Sequence, residues 1–204
     1  MKRIFSFVLS TALCLGLVGC GGPNGGSTSS TPKDYAQIIH DARSDEFNEA
    51  FMTVSPNKEG EGFVAMDGFA ADYTEPGQLD SFANDMVLPL LGLRQMVENP
   101  DGSIEFKDFD PSIYTDFSAS VSLMMTSCYG VAIVKPAEGQ TEAVVTALEN
   151  YVAGQQATFE FYLADQYEIA LTGTVTVADS GEVVLVCCAD GDAVLTNILA
   201  ALAA

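Results

Sequence analysis

The chain has 204 residues, with 28 Asp and Glu against 8 Lys and Arg, and its formal net charge is −20. Residues 1–19 hold two of the basic residues and no acidic one, so residues 20–204 carry a formal charge of −22. Nucleic-acid binding needs clustered basic side chains that neutralise phosphates, so this composition excludes nucleic acid as a partner. The hydrophobic content of 48% is sufficient for one folded domain with a core.

The N-terminus has the pattern of a secretory signal. Lys2 and Arg3 precede the apolar run Ile4–Leu17. That run is shorter than the roughly 20 apolar residues of a permanent membrane-spanning helix. We therefore predict a signal peptide over residues 1–19.

The tetrad Leu17-Val18-Gly19-Cys20 resembles the lipobox of bacterial lipoproteins. This resemblance implies attachment of a diacylglycerol and a palmitate at Cys20, and cleavage between Gly19 and Cys20. The mature protein is then expected on the extracytoplasmic face of the cell membrane, anchored through that lipid. Residues 20–33 are predicted to be the lipidated cysteine and a flexible linker, since Gly, Ser, Thr and Pro dominate them and a coil of this length reaches roughly 20 Å.

Residues 34–204 are predicted to be a single α+β domain. The first part of this domain, residues 34–110, is predicted to be mostly helical or irregular. Asp34 can cap a helix whose apolar face includes Ile38 and Ile39. Residues 55–76 are rich in Gly, Asp and Pro and predict irregular structure with one short strand or helical turn. Residues 78–98 return to helical spacing, with a kink or a second helix start at Pro89.

Residues 111–204 are predicted to form a core of sheet and helices. The order is strand, strand, helix, helix, strand, strand, helix, and it predicts a mainly antiparallel sheet of about four strands with helices packed on one face. The expected segments are strands near Phe117–Leu123 and Tyr129–Lys135, a helix from Gln140 to near Gly154, a helix over Phe159–Ile169, strands Leu171–Val177 and Glu182–Cys188, and a final helix capped by Asp190 or Asp192.

Three cysteines remain beyond the predicted export signal, namely Cys128, Cys187 and Cys188. All lie in apolar runs, where a free cysteine behaves as a small hydrophobe. In an oxidising compartment Cys128 could instead pair with Cys187 or Cys188 across neighbouring strands, and the sequence does not decide between them. Adjacent cysteines on a strand point to opposite faces, which disfavours a metal site.

No catalytic, metal-binding or cofactor-binding residue is predicted. His40, the single histidine, falls outside the apolar stripe of its helix, which favours a solvated side chain. Residues 60–65 match the glycine pattern of dinucleotide sites, but no buried strand precedes them, so we interpret the match as chance. Acidic residues are spread along the chain, and only weak calcium binding is expected, with residues 99–110 and 190–192 as the acidic loops.

The second half also resembles a family of small Gram-positive lipoproteins described only as a domain of unknown function. The resemblance spans residues 113–204 and rests on the segments Tyr129–Gly139, Phe159–Tyr167 and Gly181–Val186, with support from Ile38–Arg43. It implies a lipoprotein with one compact domain, and it supplies no catalytic residues.

The sequence therefore favours a non-enzymatic binding or interaction module of the cell envelope, whose partner is an envelope protein or a small ligand. The aromatic block Phe159–Tyr167 is the candidate surface, although its rings could equally pack in the core. The alternatives are an envelope enzyme that uses carboxylate chemistry and a solute-capture component of a transporter.

Overall fold

A computed structural model describes residues 33–204, in which helices cover both faces of a six-stranded antiparallel sheet. The predicted signal peptide, its cleavage point, Cys20 and the linker as far as Pro32 lie outside the described residues. Lys33–Ala204 form one compact unit. Among the helices of this unit, none has both the length and the apolar character to cross a membrane.

The strands and helices alternate irregularly along the chain. The strands are β1 (Thr53–Pro56), β2 (Phe63–Met66), β3 (Gln95–Glu98), β4 (Ile104–Lys107), β5 (Tyr114–Val121), β6 (Gly130–Pro136), β7 (Thr174–Val177) and β8 (Val183–Cys187). The α-helices are α1 (Tyr35–Ala42), α2 (Asp45–Ala50), α3 (Gln78–Phe82), α4 (Leu88–Leu90), α5 (Thr141–Phe159), α6 (Ala164–Leu171) and α7 (Gly191–Ala203). A 3₁₀ turn (Ala70–Asp72) follows β2, and a π-helical turn (Ala83–Val87) joins α3 to α4.

The main sheet has the order β2-β1-β5-β6-β8-β7, and every neighbouring pair is antiparallel. Its centre is β6, where Ala132 lies opposite Ala119 of β5 and Leu185 of β8. Strands β3 and β4 pair separately as a hairpin. The long central strands thus form a rigid scaffold, and functional residues are expected in the loops at their ends.

Side-chain alternation divides the core into two clusters, one on each face of the sheet. On the first face, Phe117, Ala132 and Leu185 pack under α5 and the π-helical turn. On the second face, Val131 and Val184 pack under α1 and α7. Strands β6 and β8 are buried on both faces, which explains their nearly continuous apolar sequences.

Two helices show how local sequence positions these elements. The side chain of Asp34 accepts a hydrogen bond from Gln37 N at 3.1 Å, so α1 has the N-cap that the sequence predicts. Its buried face includes Ile39 and Ala42. In α5, the predicted stripe that includes Val144 and Leu148 is buried against the first face of the sheet.

The predicted α+β class and the element order of residues 111–204 are confirmed. The predicted sheet is wrong in two respects: it has six strands rather than four, and helices cover both of its faces. Strand β1 pairs with β5 and β2 pairs with β1, so β5 is not an edge of the sheet. Strand β2 lies within residues 55–76, where we expected irregular structure with one short strand or helical turn, whereas β1 begins just before that segment.

Helix boundaries also differ from the sequence predictions. The helical spacing over residues 78–98 breaks at Leu91, where Gly92 adopts a φ of 69° and the chain turns into β3. Helix α5 passes Gly154 and ends at Phe159, and α6 consequently begins at Ala164 rather than at Phe159.

Candidate functional site

A group of large apolar side chains is exposed at one end of the sheet. Their exposed fractions include 67% for Met124, 68% for Met125 and 85% for Phe161. We call the whole group the methionine–aromatic surface; it consists of Met86, Leu90, Leu123, Met124, Met125, Phe161 and Tyr162. Exposed apolar side chains gathered in this way are typical of interaction sites on soluble domains.

The connection between β5 and β6 places the methionines in solvent. After β5, Ser122 Oγ accepts a hydrogen bond from Met124 N at 3.1 Å, and Ser127 N donates to Met124 O at 3.2 Å. Among the described residues, no helix or strand covers the side chains of Met124 and Met125 in this tight turn. Their exposure therefore follows from a hydrogen-bonded turn.

The aromatic residues reach the same surface from the end of α5. Phe159 is buried in the core, whereas Phe161 and Tyr162 lie in the turn between α5 and α6. The hydroxyl of Tyr162 donates to Met125 O at 3.4 Å, which links this turn to the methionine turn. The predicted aromatic block is thus divided between core and surface.

A shallow groove of about 200 Å³ lies within this surface. Its described lining residues are all uncharged: Met86, Leu90, Ser122, Leu123, Met124, Met125, Gln155, Thr158 and Phe159. Acidic residues lie near the surface in the chain, since Asp85 precedes Met86, Glu160 precedes Phe161 and Asp165 is the second residue of α6, and all three are exposed. The surface is therefore apolar at its centre and acidic at its margin.

A second feature is a buried arginine on the opposite face of the sheet. The guanidinium of Arg43 donates to Ser120 Oγ at 2.8 Å, to the Tyr129 hydroxyl at 2.5 Å and to Thr53 Oγ1 at 3.1 Å. It also donates to Asp67 Oδ2 at 2.7 Å. We call these five residues the Arg43 cluster. It fixes the end of α1 to strands β1 and β5 and to the residue before β6.

The single histidine belongs to the edge of this cluster. His40 Nδ1 lies 2.8 Å from Asp67 Oδ1, and the imidazole is half-buried. The side chain that we predicted to be solvated is 37% exposed, and it also contacts Asp67, which follows β2 with a φ of 66°. Among the described side chains, no serine or cysteine hydrogen-bonds to His40, so the pair has no nucleophile beside it.

The side chain of Tyr129 contacts the Arg43 guanidinium through its hydroxyl and an aromatic ring through its own ring, and its phenol is neutral. Burial raises its pKa above the ordinary value, and the Arg43 guanidinium opposes part of that rise. Its ring stacks on Phe51, with centroids 3.9 Å apart and planes 6° from parallel. These contacts indicate a structural role for Tyr129.

A groove of about 650 Å³ runs between the end of α1 and the start of α7. It is lined by Arg43, three aspartates (Asp41, Asp190 and Asp192), Thr172 and Asn197, among others. Within residues 33–204, no three His, Cys, Asp or Glu side chains lie close enough to hold a metal ion.

Sequence reasoning found part of the candidate surface and missed the rest. It singled out Phe159–Tyr167 but did not include Met124 and Met125. The signal that could have found them is that two adjacent large apolar residues lie between two predicted strands. It also did not single out Arg43, which directly follows α1 and lies four residues after the buried Ile39.

Comparison with known proteins gives one relationship. No curated protein and no solved structure matches the chain. Residues 104–189 match the family model described as a domain of unknown function (DUF4358), and they comprise β4 to β8 with α5 and α6. The match therefore covers four strands of the main sheet and the part of the methionine–aromatic surface from Leu123 to Tyr162.

Proposed function

We propose that this chain is an extracytoplasmic lipoprotein whose folded unit binds another polypeptide at the methionine–aromatic surface. The observation that carries the proposal is the exposure of Met124 and Met125 in an uncharged groove, with exposed Phe161 next in the chain to Tyr162, which contacts Met125. Exposing these side chains costs free energy that burial against a partner would recover, at about 25 cal/mol per Å² of apolar surface. No hydrolytic or redox chemistry is needed for this role.

Charge indicates the kind of partner. Residues 20–204 carry a formal charge of −22, and Asp85, Glu160 and Asp165 are exposed beside the surface. A partner segment with an apolar face and basic flanks would complement both properties. Methionine side chains are flexible and polarisable, so this surface suits an amphipathic helix whose apolar residues vary in shape.

Titration with model peptides tests this proposal. The protein is residues 33–204, which contain both core clusters, and the probes are an amphipathic Leu–Lys helix and a matched Leu–Glu helix. We expect the basic peptide to bind more tightly than the acidic one. Added salt should weaken this binding, because electrostatic attraction is screened.

Substitutions locate the binding site. Phe161→Ser and Met124→Ser are each expected to weaken binding of the basic peptide by about tenfold, the loss typical of an interface anchor. Val177→Ser is the matched control, since Val177 is an exposed apolar residue of β7 outside the surface. Equal weakening by all three variants, or equal affinity for the two peptides, would contradict the proposed site.

The proposed membrane attachment has a separate test. Cys20→Ala should abolish both acylation and cleavage after Gly19, because the thiol that receives the diacylglycerol is then absent. Cys14→Ala is the control and should leave the lipid in place, since Cys14 lies within the predicted signal peptide. Mass spectrometry of the membrane fraction detects both the acylation and the cleavage. An unmodified Cys20 in the wild-type protein would exclude lipid anchoring.

A further inference from the structure

Two of the three cysteines lie side by side on the first face of the sheet. Cys128 Sγ is 3.5 Å from Cys187 Sγ, and both side chains are buried. Cys188 belongs to the core cluster on the opposite face, because successive residues of a strand point to opposite sides. The sheet therefore selects one of the two pairings that the sequence leaves open.

The backbone holds this pair in a defined place. Cys187 of β8 is the partner of Gly130 at the start of β6, and Cys128 lies two residues before Gly130 on the same face. Cys128 N donates to Gln166 Oε1 at 2.8 Å, which fixes the segment that carries the first thiol. Closing the gap to a sulfur–sulfur bond of about 2.05 Å requires a movement of roughly 1.5 Å, within the range of small side-chain rotations.

We infer that Cys128 and Cys187 form a disulfide bond when the protein folds in the presence of a disulfide oxidant, and that Cys188 stays a free thiol. The oxidant is a small-molecule disulfide or the disulfide of a thiol oxidoreductase. The bond would join the start of β6 to the end of β8, which are 59 residues apart in the chain.

Thiol–disulfide exchange accounts for every atom and electron of this step. The Cys128 thiol loses a proton, and its sulfur attacks the oxidant's disulfide; this forms a mixed disulfide and releases one thiolate. The Cys187 thiol then loses its proton and attacks Cys128 Sγ, which releases the second thiolate. The two protein thiols lose two electrons and two protons, and the oxidant becomes two thiols.

In the folded protein the two thiols differ electrostatically. Hydrogen bonding with Cys187 lowers the pKa of Cys128, whereas the same contact, with burial, raises the pKa of Cys187. Both sulfurs are shielded in the folded protein, so the exchange takes place while the chain folds or opens locally.

Peptide mapping of the full chain tests the inference. The chain is unfolded with reductant, refolded in a mixture of oxidised and reduced glutathione, alkylated, and cut with a protease that cleaves after Glu and Asp. Cleavage leaves Cys128 in residues 117–138 and the adjacent pair in residues 183–190. We expect a disulfide-linked pair of these peptides, with fragmentation between Cys187 and Cys188 placing the bond on Cys187.

Two serine variants serve as a matched pair. Cys188→Ser should retain the linked peptides and Cys187→Ser should lose them. Reduction of the wild-type protein should lower its melting midpoint by about 10 °C, as expected for a loop of this length in a domain of this size. Alkylated Cys128 and Cys187 in the refolded wild-type protein, or a bond at Cys188, Cys14 or Cys20, would overturn the inference. Its failure would leave the peptide-binding proposal intact, since the binding assay does not depend on these thiols.

Discussion

Replacing Arg43 with alanine is expected to lower the free energy of unfolding by about 3 to 5 kcal/mol. The guanidinium is fully buried and is the charge partner of Asp67, whose carboxylate is 8% exposed. Its removal takes the guanidinium from a nearly buried carboxylate, which keeps only its contact with His40 among the described partners, and takes a donor from three hydroxyl groups. Removal of one partner of a buried ion pair is among the most destabilising consequences of a single substitution.

A denaturant titration of Arg43→Ala measures this effect, and Lys58→Ala is the control. Lys58 pairs with Asp116 on the surface, where its side chain is mostly exposed, so the control should change stability by about 1 kcal/mol or less. Arg43→Lys should remain strongly destabilised, because one ammonium cannot replace a planar fork that reaches four partners. Similar stability of Arg43→Ala and Lys58→Ala would show that the cluster does not hold α1 to the sheet.

The second large effect is expected from Leu148→Ala, which should cost about 2 to 5 kcal/mol. Leu148 lies at the centre of α5, has no solvent exposure and packs in the core under the sheet. The truncation leaves a cavity that the rigid strands below cannot fill. Alanine favours the helical conformation, so the loss would come from packing alone.

Thermal unfolding with Leu171→Ala as the control isolates that packing loss. Leu171 ends α6 and is half-exposed, so its truncation should cost about 1 kcal/mol or less. An unchanged melting midpoint for Leu148→Ala would mean that α5 does not pack as the sequence and the structure both indicate.

Most elements of the second half were predictable from their sequence periods, although apolar residues within 113–124 also fit helical spacing. Polar and apolar residues alternate along Phe117–Val121, and the apolar stripe of α5 recurs at helical spacing. The turn at residues 178–181 marks the hairpin of β7 and β8. In these segments the local pattern and the tertiary packing agree.

The first half was harder because long-range pairing decides its structure. Strand β1 has only four residues, and its position depends on the pairing of Thr53 with Ser120 and with Met66. The segment Gln95–Glu98 carries apolar residues that fit a helix, but pairing with Ile104–Lys107 makes it a strand. Neither pairing leaves a periodic signal within its own short segment.

The candidate site was predictable only in part for a related reason. Its aromatic block is visible in the sequence, but the division between buried Phe159 and exposed Phe161 depends on where α5 ends. Met124 and Met125 join Tyr162 only through the fold, since 37 residues separate Met125 from Tyr162. The Arg43 cluster likewise collects side chains from five separate parts of the chain.

Photo-crosslinking in living cells tests the central claim, which is that the methionine–aromatic surface binds a polypeptide. A photoreactive amino acid is placed at position 161, and the same group at position 177 is the control, since Phe161 and Val177 are both exposed. We predict a discrete protein adduct from position 161 that is absent from position 177, and mass spectrometry should place the crosslink in an amphipathic segment with basic flanks. No adduct from position 161 beyond that from position 177, or an adduct that maps to an acidic segment, would contradict the account.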